Sequence, residues 1–270
     1  MEEKRILKNN LKESFVNMLA GKTKNNPAAI HLDFIGLIRL GKDNASRLDE
    51  FCNLLKETES KGGNICIPAY SLSYTKKEDF NILETPSSDI GVVSEYVRKK
   101  FSGNRTVDAL FSYVTFGKNI SRNHFEVKDY ESFGNDSLVG EIFEKDGYIC
   151  SIGGTFRNST EIHFIEKLLD VKYRSDKKFD GNIIDTDGKI HKQQITYFCK
   201  NFDYNLWYNF KKLEDGLKND GLMEVFKIEG YPFYIEGIKF KTLYDYLETA
   251  IRKDYKYFLN DLKDKRKGEV

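Results

Sequence analysis

The residues in this chain best suited to chemistry lie in Asn158-Ser-Thr160-Glu-Ile-His163-Phe-Ile-Glu166. On a helix, Thr160, His163 and Glu166 recur at i, i+3 and i+6 and share one broad side. An imidazole in the first turns feels the positive end of the helix dipole, which disfavours its charged form. A neutral imidazole beside a carboxylate is the equipment of a general base: the ring takes a proton, and the acid orients it and stabilises the cation. Asn158, three residues before Glu161, has the spacing of a capping box with Asn in place of Ser or Thr, and predicts a helix start near Ser159. A covalent alternative pairs the Cys150 thiol with His163. Cys150, however, stands in a short apolar run, where a thiol packs as a small hydrophobe. His191, among Lys and Gln just past a turn, reads as a solvated side chain, and so does His124 in the polar loop Ser121-Arg-Asn-His124.

These side chains need a strand to deliver them. Gly147-Tyr-Ile-Cys-Ser-Ile-Gly-Gly154 reads as a strand covered on both faces, followed by a glycine pair that lets the backbone turn sharply and pass close to a ligand. Ligands in α/β sheets sit beyond the carboxyl ends of strands, which is where this loop opens. It is not the dinucleotide fingerprint, because no G-x-G-x-x-G follows the strand.

Upstream, Leu7, Leu11, Phe15 and Met18 predict an amphipathic helix ending near Gly21, and Ala28 to Phe34 predicts a strand. Ser46 begins a second helix carrying Leu48, Phe51 and Leu55, stopped by Gly62-Gly63, and Asn64 to Tyr70 reads as the next strand. A third helix starts in Pro86-Ser-Ser-Asp-Ile-Gly91 and ends at Gly103. Arg105 to Gly117 is β-rich, and Ser137 to Glu144 is a short helix. Downstream, Asp180-Gly181 and Asp187-Gly188 punctuate β-prone segments as hairpin turns do. Leu243, Leu247, Ile251, Tyr255, Phe258 and Leu262 predict a long terminal helix, with a charged, frayed tail at Lys263-Asp-Lys-Arg-Lys267. Helix and strand alternate through the first two-thirds, which predicts a layered α/β/α sandwich with a central mixed sheet, a β-hairpin insertion and a long C-terminal helix. With no repeat, linker or composition break, residues 1–270 read as one domain, in which 181–240 is a β-rich subregion.

Composition narrows the function classes. The 43 basic and 42 acidic residues leave a net charge of +1, without the basic excess of a general nucleic-acid binder. The 20 Phe and 16 Tyr supply large surfaces for a core, for stacking on a ligand, or for a homodimer contact. The four cysteines (52, 66, 150, 199) lie far apart without zinc-ligand spacing, so no metal is expected and the chain reads as reduced. No apolar run is long enough to span a bilayer, and Met1 to Ala20 has no signal-peptide pattern; cytoplasmic location is the expectation.

In order along the chain, five segments resemble the aminoglycoside 3-N-acetyltransferase family. His31-Leu-Asp-Phe34 is similar to its His-x-Ser-Leu exit from the first strand, and Pro68-Ala-Tyr-Ser71 to its Pro-Thr-Tyr-Ser exit. Gly91-Val-Val-Ser-Glu95-Tyr-Val-Arg98 resembles its Gly-x-x-x-Glu-x-x-Arg helix. Arg105-Thr-Val-Asp-Ala-Leu-Phe-Ser112-Tyr-Val-Thr-Phe-Gly117 resembles its Arg-Ser-x-His-Pro-x-x-Ser-Phe-x-x-x-Gly pattern. Asn158 to Glu166 resembles its Asn-x-Thr-x-x-His-x-x-Glu helix start. The sequence departs from the pattern at Asp33, where Ser is usual, and at Asp108-Ala109, which replace His-Pro.

The resemblance implies transfer of an acetyl or other short acyl group from acetyl-CoA or another acyl-CoA to the amine of an amino sugar. An ammonium has no lone pair, so the acceptor must lose a proton before attacking the thioester. His163 is the implied base, Glu166 its orienting acid, and Thr160 with nearby N–H groups the oxyanion donors. The expected coenzyme A contacts are His31, Leu32 and Asp33 through backbone, Ser71 and Ser73, and Arg105 with Thr106. Residues 181–240 would lie on the acceptor side. Aminoglycosides are polycations whose pockets need several carboxylates, and the chain has no acidic excess. Composition therefore favours an anionic, stackable acceptor, a nucleotide-linked amino sugar for surface polysaccharide assembly. An aminoglycoside acceptor is the alternative, and an inactive sugar-nucleotide-binding module is the second.

Overall fold

The computed structural model describes residues 2–87, 90–121, 129–154, 156–227 and 235–264. Thr155, the His124 loop and the tail beyond Asp264 lie outside the described residues. Seven helices are described: α1 (Glu2–Thr23), α2 (Asn44–Ser60), α3 (Val92–Lys100), α4 (Leu138–Glu144), α5 (Ile162–Leu168), α6 (Phe210–Asn219) and α7 (Phe240–Lys253). Between them run β1 (Ala28–Leu32), β2 (Ile65–Pro68), β3 (Phe80–Asn81), β4 (Tyr113–Phe116), β5 (Asp129–Glu131), β6 (Tyr148–Ile152), β7 (Arg174–Ile184), β8 (Ile190–Lys200), β9 (Tyr204–Tyr208), β10 (Glu224–Phe226), β11 (Ile235–Lys239) and β12 (Leu259–Asp264).

Six strands form the central sheet in the order β10-β11-β6-β1-β2-β4. The inner trio β6, β1 and β2 is parallel, and β4 and β11 join antiparallel at either side. Alternating side chains reach opposite faces of the sheet. Ile30, Ile65, Ile67 and Cys150 pack with Phe15 and Leu19 of α1, Phe51 and Leu55 of α2, and Val93 and Val97 of α3. Ala29, Cys66 and Ile149 pack with Leu138 and Ile142 of α4, Phe164 and Ile165 of α5, and Leu243 and Leu247 of α7. The three-layer sandwich is as expected. Cys150 points to the face away from α5, its thiol buried and pushed up to about 12 by burial, so it is a packed core residue and no partner for His163.

Local chemistry sets the element ends. The Asp43 carboxylate caps α2 by accepting from the Ser46 N–H at 2.8 Å, in a reciprocal capping box, so the helix starts two residues before the Ser46 expected. Ser137 caps α4, accepting from the Gly140 N–H. Of the β-rich stretch 105–117, only Tyr113–Phe116 is an extended strand. Asp187-Gly188 does turn the hairpin of β7 and β8, which pair from Arg174↔Lys200 to Ile184↔Ile190. Asp180-Gly181 does not turn: Gly181 lies within β7 because the Tyr74 ring presses on it, and a Cβ there would sit 2.6 Å from the ring. His191 is also not freely solvated, since its Nε2 is 2.6 Å from Asp185 Oδ2 across the hairpin mouth.

The terminal helix is shorter than its periodicity suggests. It ends at Lys253, Asp254 takes an extended backbone, and the chain returns as β12 along β9. Phe258 is buried from this return segment and stacks on Tyr208. No helix among the described residues is long and apolar enough to cross a membrane.

Candidate active site

The carboxyl ends of the parallel trio converge on the segment between β6 and α5. Gly153 takes a left-handed backbone (φ 67°), and its Cα side faces the Gly36 backbone so closely that a Cβ would collide. The tight approach of Gly153 is thus to the loop leaving β1. Phe156–Asn158 makes one 3-10 turn, and α5 begins only at Ile162. The capping box expected of Asn158 and Glu161 does not form. Glu161 is already helical in its backbone, with no capping side-chain bond, and its carboxylate turns into the protein.

Helix α5 and the residue that precedes it supply the carboxylates of two His–Glu pairs. In the first, His163 Nδ1–H donates to Glu166 Oε2 over 2.7 Å. Glu166 is fully buried and heavily supported: the Tyr173 hydroxyl donates to Oε1 at 3.0 Å, the Tyr208 hydroxyl lies 2.9 and 3.1 Å from its two oxygens, and Arg174 Nε is 3.3 Å from Oε2. Burial alone would raise the Glu166 pKa; the His163 bond, Arg174 and Tyr208 override it and hold the group ionised. His163 shifts downward, first because burial penalises its cation and then because Arg174 is near, against the opposing pull of Glu166. The Phe133 ring meets the imidazole edge-on at 5.6 Å and Tyr208 lies at 6.0 Å. The ring is therefore neutral at neutral pH, its proton on Nδ1 and its lone pair on Nε2.

The second pair joins residues 130 positions apart. His31 Nε2 lies 2.8 and 3.0 Å from the Glu161 oxygens. The Tyr113 hydroxyl donates to Glu161 Oε1 at 2.8 Å, and the Tyr70 hydroxyl lies 2.7 Å from that of Tyr113. Burial pushes both phenols far above their ordinary range, so they stay protonated. Beside this chain opens a cavity of about 350 Å³ lined by His31, Tyr70, Ser94, Arg157, Asn158 and Thr160 among others. A second cavity of about 480 Å³ lies against Tyr208, Phe210, Lys211, Glu214 and Asp215, and Arg157 lines it too.

Several expected contact residues are committed elsewhere. Arg105 is buried and turns its guanidinium inward, to the Ser112 hydroxyl at 2.9 Å and the carbonyls of Ala69 and Thr85. The Thr106 hydroxyl accepts from Tyr113 N–H. Ser71 Oγ accepts from the Ser73 N–H, and both serines are buried. The polar side-chain atoms of these four residues satisfy buried groups within the loops after β2 and α3. His31 contributes its ring, where only backbone was expected, while Leu32 lines the cavity and Asp33 stands exposed at the strand exit beside Gly154. Asp108 is also structural: Oδ1 accepts from Leu110 N–H, Phe111 N–H and the Ser132 hydroxyl. The Glu95–Arg98 motif is a bidentate pair (2.8 Å twice) that also takes the Ser87 N–H and the Leu83 carbonyl, pinning the start of α3. Local sequence offers no signal for Tyr173, Arg174, Tyr208, Glu161, Tyr113 or Tyr70 as site residues.

A profile of aminoglycoside 3-N-acetyltransferases matches residues 39–249. The chain belongs to this family. It is accordingly an acetyl-transferring enzyme that works with coenzyme A, and no metal-ligand group occurs among the described residues. No curated protein sequence matches it. Among solved structures, aminoglycoside acetyltransferase AAC(3)-IVa is similar, with 17% identity, TM-score 0.63, and coverage of 92% of this chain and 90% of that one. YokD from Bacillus subtilis is similar at 16% identity, TM-score 0.65, covering 90% and 94%. AAC-IIIb, solved with CoASH, is similar at 15% identity, TM-score 0.65, covering 90% and 96%. At these identities the likeness is one of fold.

Proposed function

We propose that this enzyme moves an acetyl group from acetyl-CoA to an amine of an aminoglycoside-type amino sugar, with His163 as general base. The observation that carries the reading is the His163–Glu166 pair, whose buried carboxylate is charged, fourfold supported and able to hold the half-buried ring in one tautomer. His163 Nε2 takes the proton from the acceptor ammonium, and the freed amine attacks the thioester carbon. Glu166 stabilises the resulting imidazolium, which Arg174 keeps from persisting. Thr160, on the cavity wall, is the candidate donor to the oxyanion. The His31 cavity takes the thioester end of acetyl-CoA and the Tyr208 cavity takes the acceptor, with Arg157 at their junction.

The acceptor class rests on similar proteins and on local charge. An AAC(3)-IVa mutant has been solved with a gentamicin and with apramycin, and AAC-VIa with sisomicin. Overall neutrality does not exclude a polycation, because carboxylates can be gathered locally: Glu214 and Asp215 line the Tyr208 cavity. Both are held by i,i+4 lysines, Lys218 and Lys211, in surface pairs worth about 0.3–0.5 kcal/mol that an acceptor ammonium can replace. The nucleotide-linked sugar favoured by composition finds no support in these similarities. Thiol release from acetyl-CoA, measured with aminoglycosides and with nucleotide-linked amino sugars for wild type and His163→Ala, tests both parts. Turnover with aminoglycosides that is lost in the variant is expected. Turnover confined to nucleotide sugars would overturn the acceptor, and turnover surviving His163→Ala would overturn the base.

A further inference from the structure

Tyr208 belongs to two structures at once. Its hydroxyl donates to the buried Glu166 carboxylate, 2.9 and 3.1 Å from the two oxygens, so its polar end is committed inside the protein. What this half-buried residue presents to the 480 Å³ cavity is therefore ring carbon. Phe210, also half-buried, lines the same cavity, its ring centroid 5.2 Å from that of Tyr208 and its plane tilted by 33°. Phe258 stacks on Tyr208 at 5.4 Å and lies 6.3 Å from Phe210. Those three distances make a near-equilateral triangle, so both phenylalanines stand on one side of Tyr208. The His163 ring is 6.0 Å from the Tyr208 ring. Glu214, Asp215, Lys211 and Arg157 complete the cavity with charges of both signs.

An aromatic face is apolar and carries excess negative potential, so it suits the C–H face of a saturated ring and attracts an ammonium. The cavity volume falls within the range of small-molecule sites. We propose that Tyr208 and Phe210 are the floor on which one saturated, amine-bearing ring of the acceptor, a sugar or an aminocyclitol, lies by its C–H face, with the amine to be acetylated set beside His163. Glu214 and Asp215 meet the remaining ammonium groups at the edge of that ring. The Tyr208 ring then fixes the acceptor while its hydroxyl fixes Glu166, so the amine and its base are placed against the same side chain. Tyr208 is a positioning residue, and Phe210 is a specificity-determining one. This inference rests on the acceptor reading of the cavity.

The test measures kcat and KM by thiol release from acetyl-CoA, with apramycin and sisomicin as acceptors. It uses the full-length wild type, Phe210→Leu, Tyr208→Phe and Tyr208→Leu. Phe210→Leu should raise the acceptor KM about tenfold with kcat held, because stacking surface is lost and the base keeps every contact. Tyr208→Phe should do the reverse, lowering kcat about two- to tenfold with the acceptor KM held, because the ring stays and the Glu166 hydrogen bond goes. Tyr208→Leu should combine both losses. The KM for acetyl-CoA should stay unchanged throughout, which separates a lost floor from a damaged fold. An acceptor KM that is unchanged in both leucine variants would overturn the floor. A rise in acceptor KM as large in Tyr208→Phe as in Tyr208→Leu would assign binding to the hydroxyl and overturn the division. Wild-type turnover confined to a uridine-diphosphate-linked amino sugar would put a planar base in competition for the floor and overturn the saturated ring. A wild type that acetylates neither aminoglycoside would remove the acceptor reading, and the proposal with it.

Discussion

Two glutamates five positions apart, one just before α5 and one within it, are both fully buried against a histidine, yet their surroundings differ. Among the described side chains, Glu166 is met by His163, Tyr173, Tyr208 and Arg174, and Glu161 by His31 and Tyr113. The first carboxylate keeps its charge whatever its histidine does, which frees the ring to gain and lose a proton. The second is held ionised against burial by His31 and the Tyr113 hydrogen bond, with no arginine beside it among the described residues.

The largest effect expected from breaking this asymmetry is on turnover. Glu166→Gln should lower kcat by about 10²–10⁴-fold in a thiol-release assay, the range of a misoriented general base, while Glu161→Gln should lose about tenfold or less. Equal losses would mean that the two pairs are equivalent. Arg174→Met should come next, costing about 3–5 kcal/mol in denaturant unfolding, because it strips the cation from a buried carboxylate.

The same variant gives a directional readout. Arg174 and burial depress His163, so the wild-type acid limb of kcat/KM should fall below the ordinary histidine value of about 6.5, with the neutral, active ring present above it. Arg174→Met should move that limb to higher pH. A limb that moves down or stays would break the electrostatic account of His163. The smallest effects should come from the phenols: Tyr113→Phe should cost about 1–3 kcal/mol, and Tyr208→Phe about 1 kcal/mol because Glu166 keeps three other partners. Reversed sizes in thermal unfolding would mean that Glu161 is the better supported of the two.

The first pair was legible in the sequence and the second was not, for a physical reason. His163 and Glu166 lie one helical turn apart, so spacing alone brings them together. His31 and Glu161 meet only because β1 lies beside β6 in parallel register, a tertiary fact that no local period encodes. Glu161 was even legible as something else, a capping residue, until the 3-10 turn at Phe156–Asn158 delayed the helix. The strand β6, the sandwich and the hairpin followed from apolar runs and turn residues. The terminal helix was overread because Phe258 keeps helical spacing with Ile251 and Tyr255, yet is buried from the turn that leads into β12. Arg105 was misread because an arginine on a loop looks available, while buried carbonyls had already claimed it.

That returning strand has a consequence for how the enzyme is made. β12 pairs with β9, Leu259 opposite Tyr208, and Tyr208 bonds Glu166, so the proposed base is fully braced only after Leu259 has joined the fold. Between His163 and Leu259 lie 96 steps of chain growth (259 − 163), roughly 5–20 s at about 5–20 residues per second. During that interval the nascent chain already carries His163 and the parallel trio of its sheet but lacks the final clasp on Glu166. Resistance to proteolysis at α5 and acquisition of activity should therefore arrive late in synthesis and together.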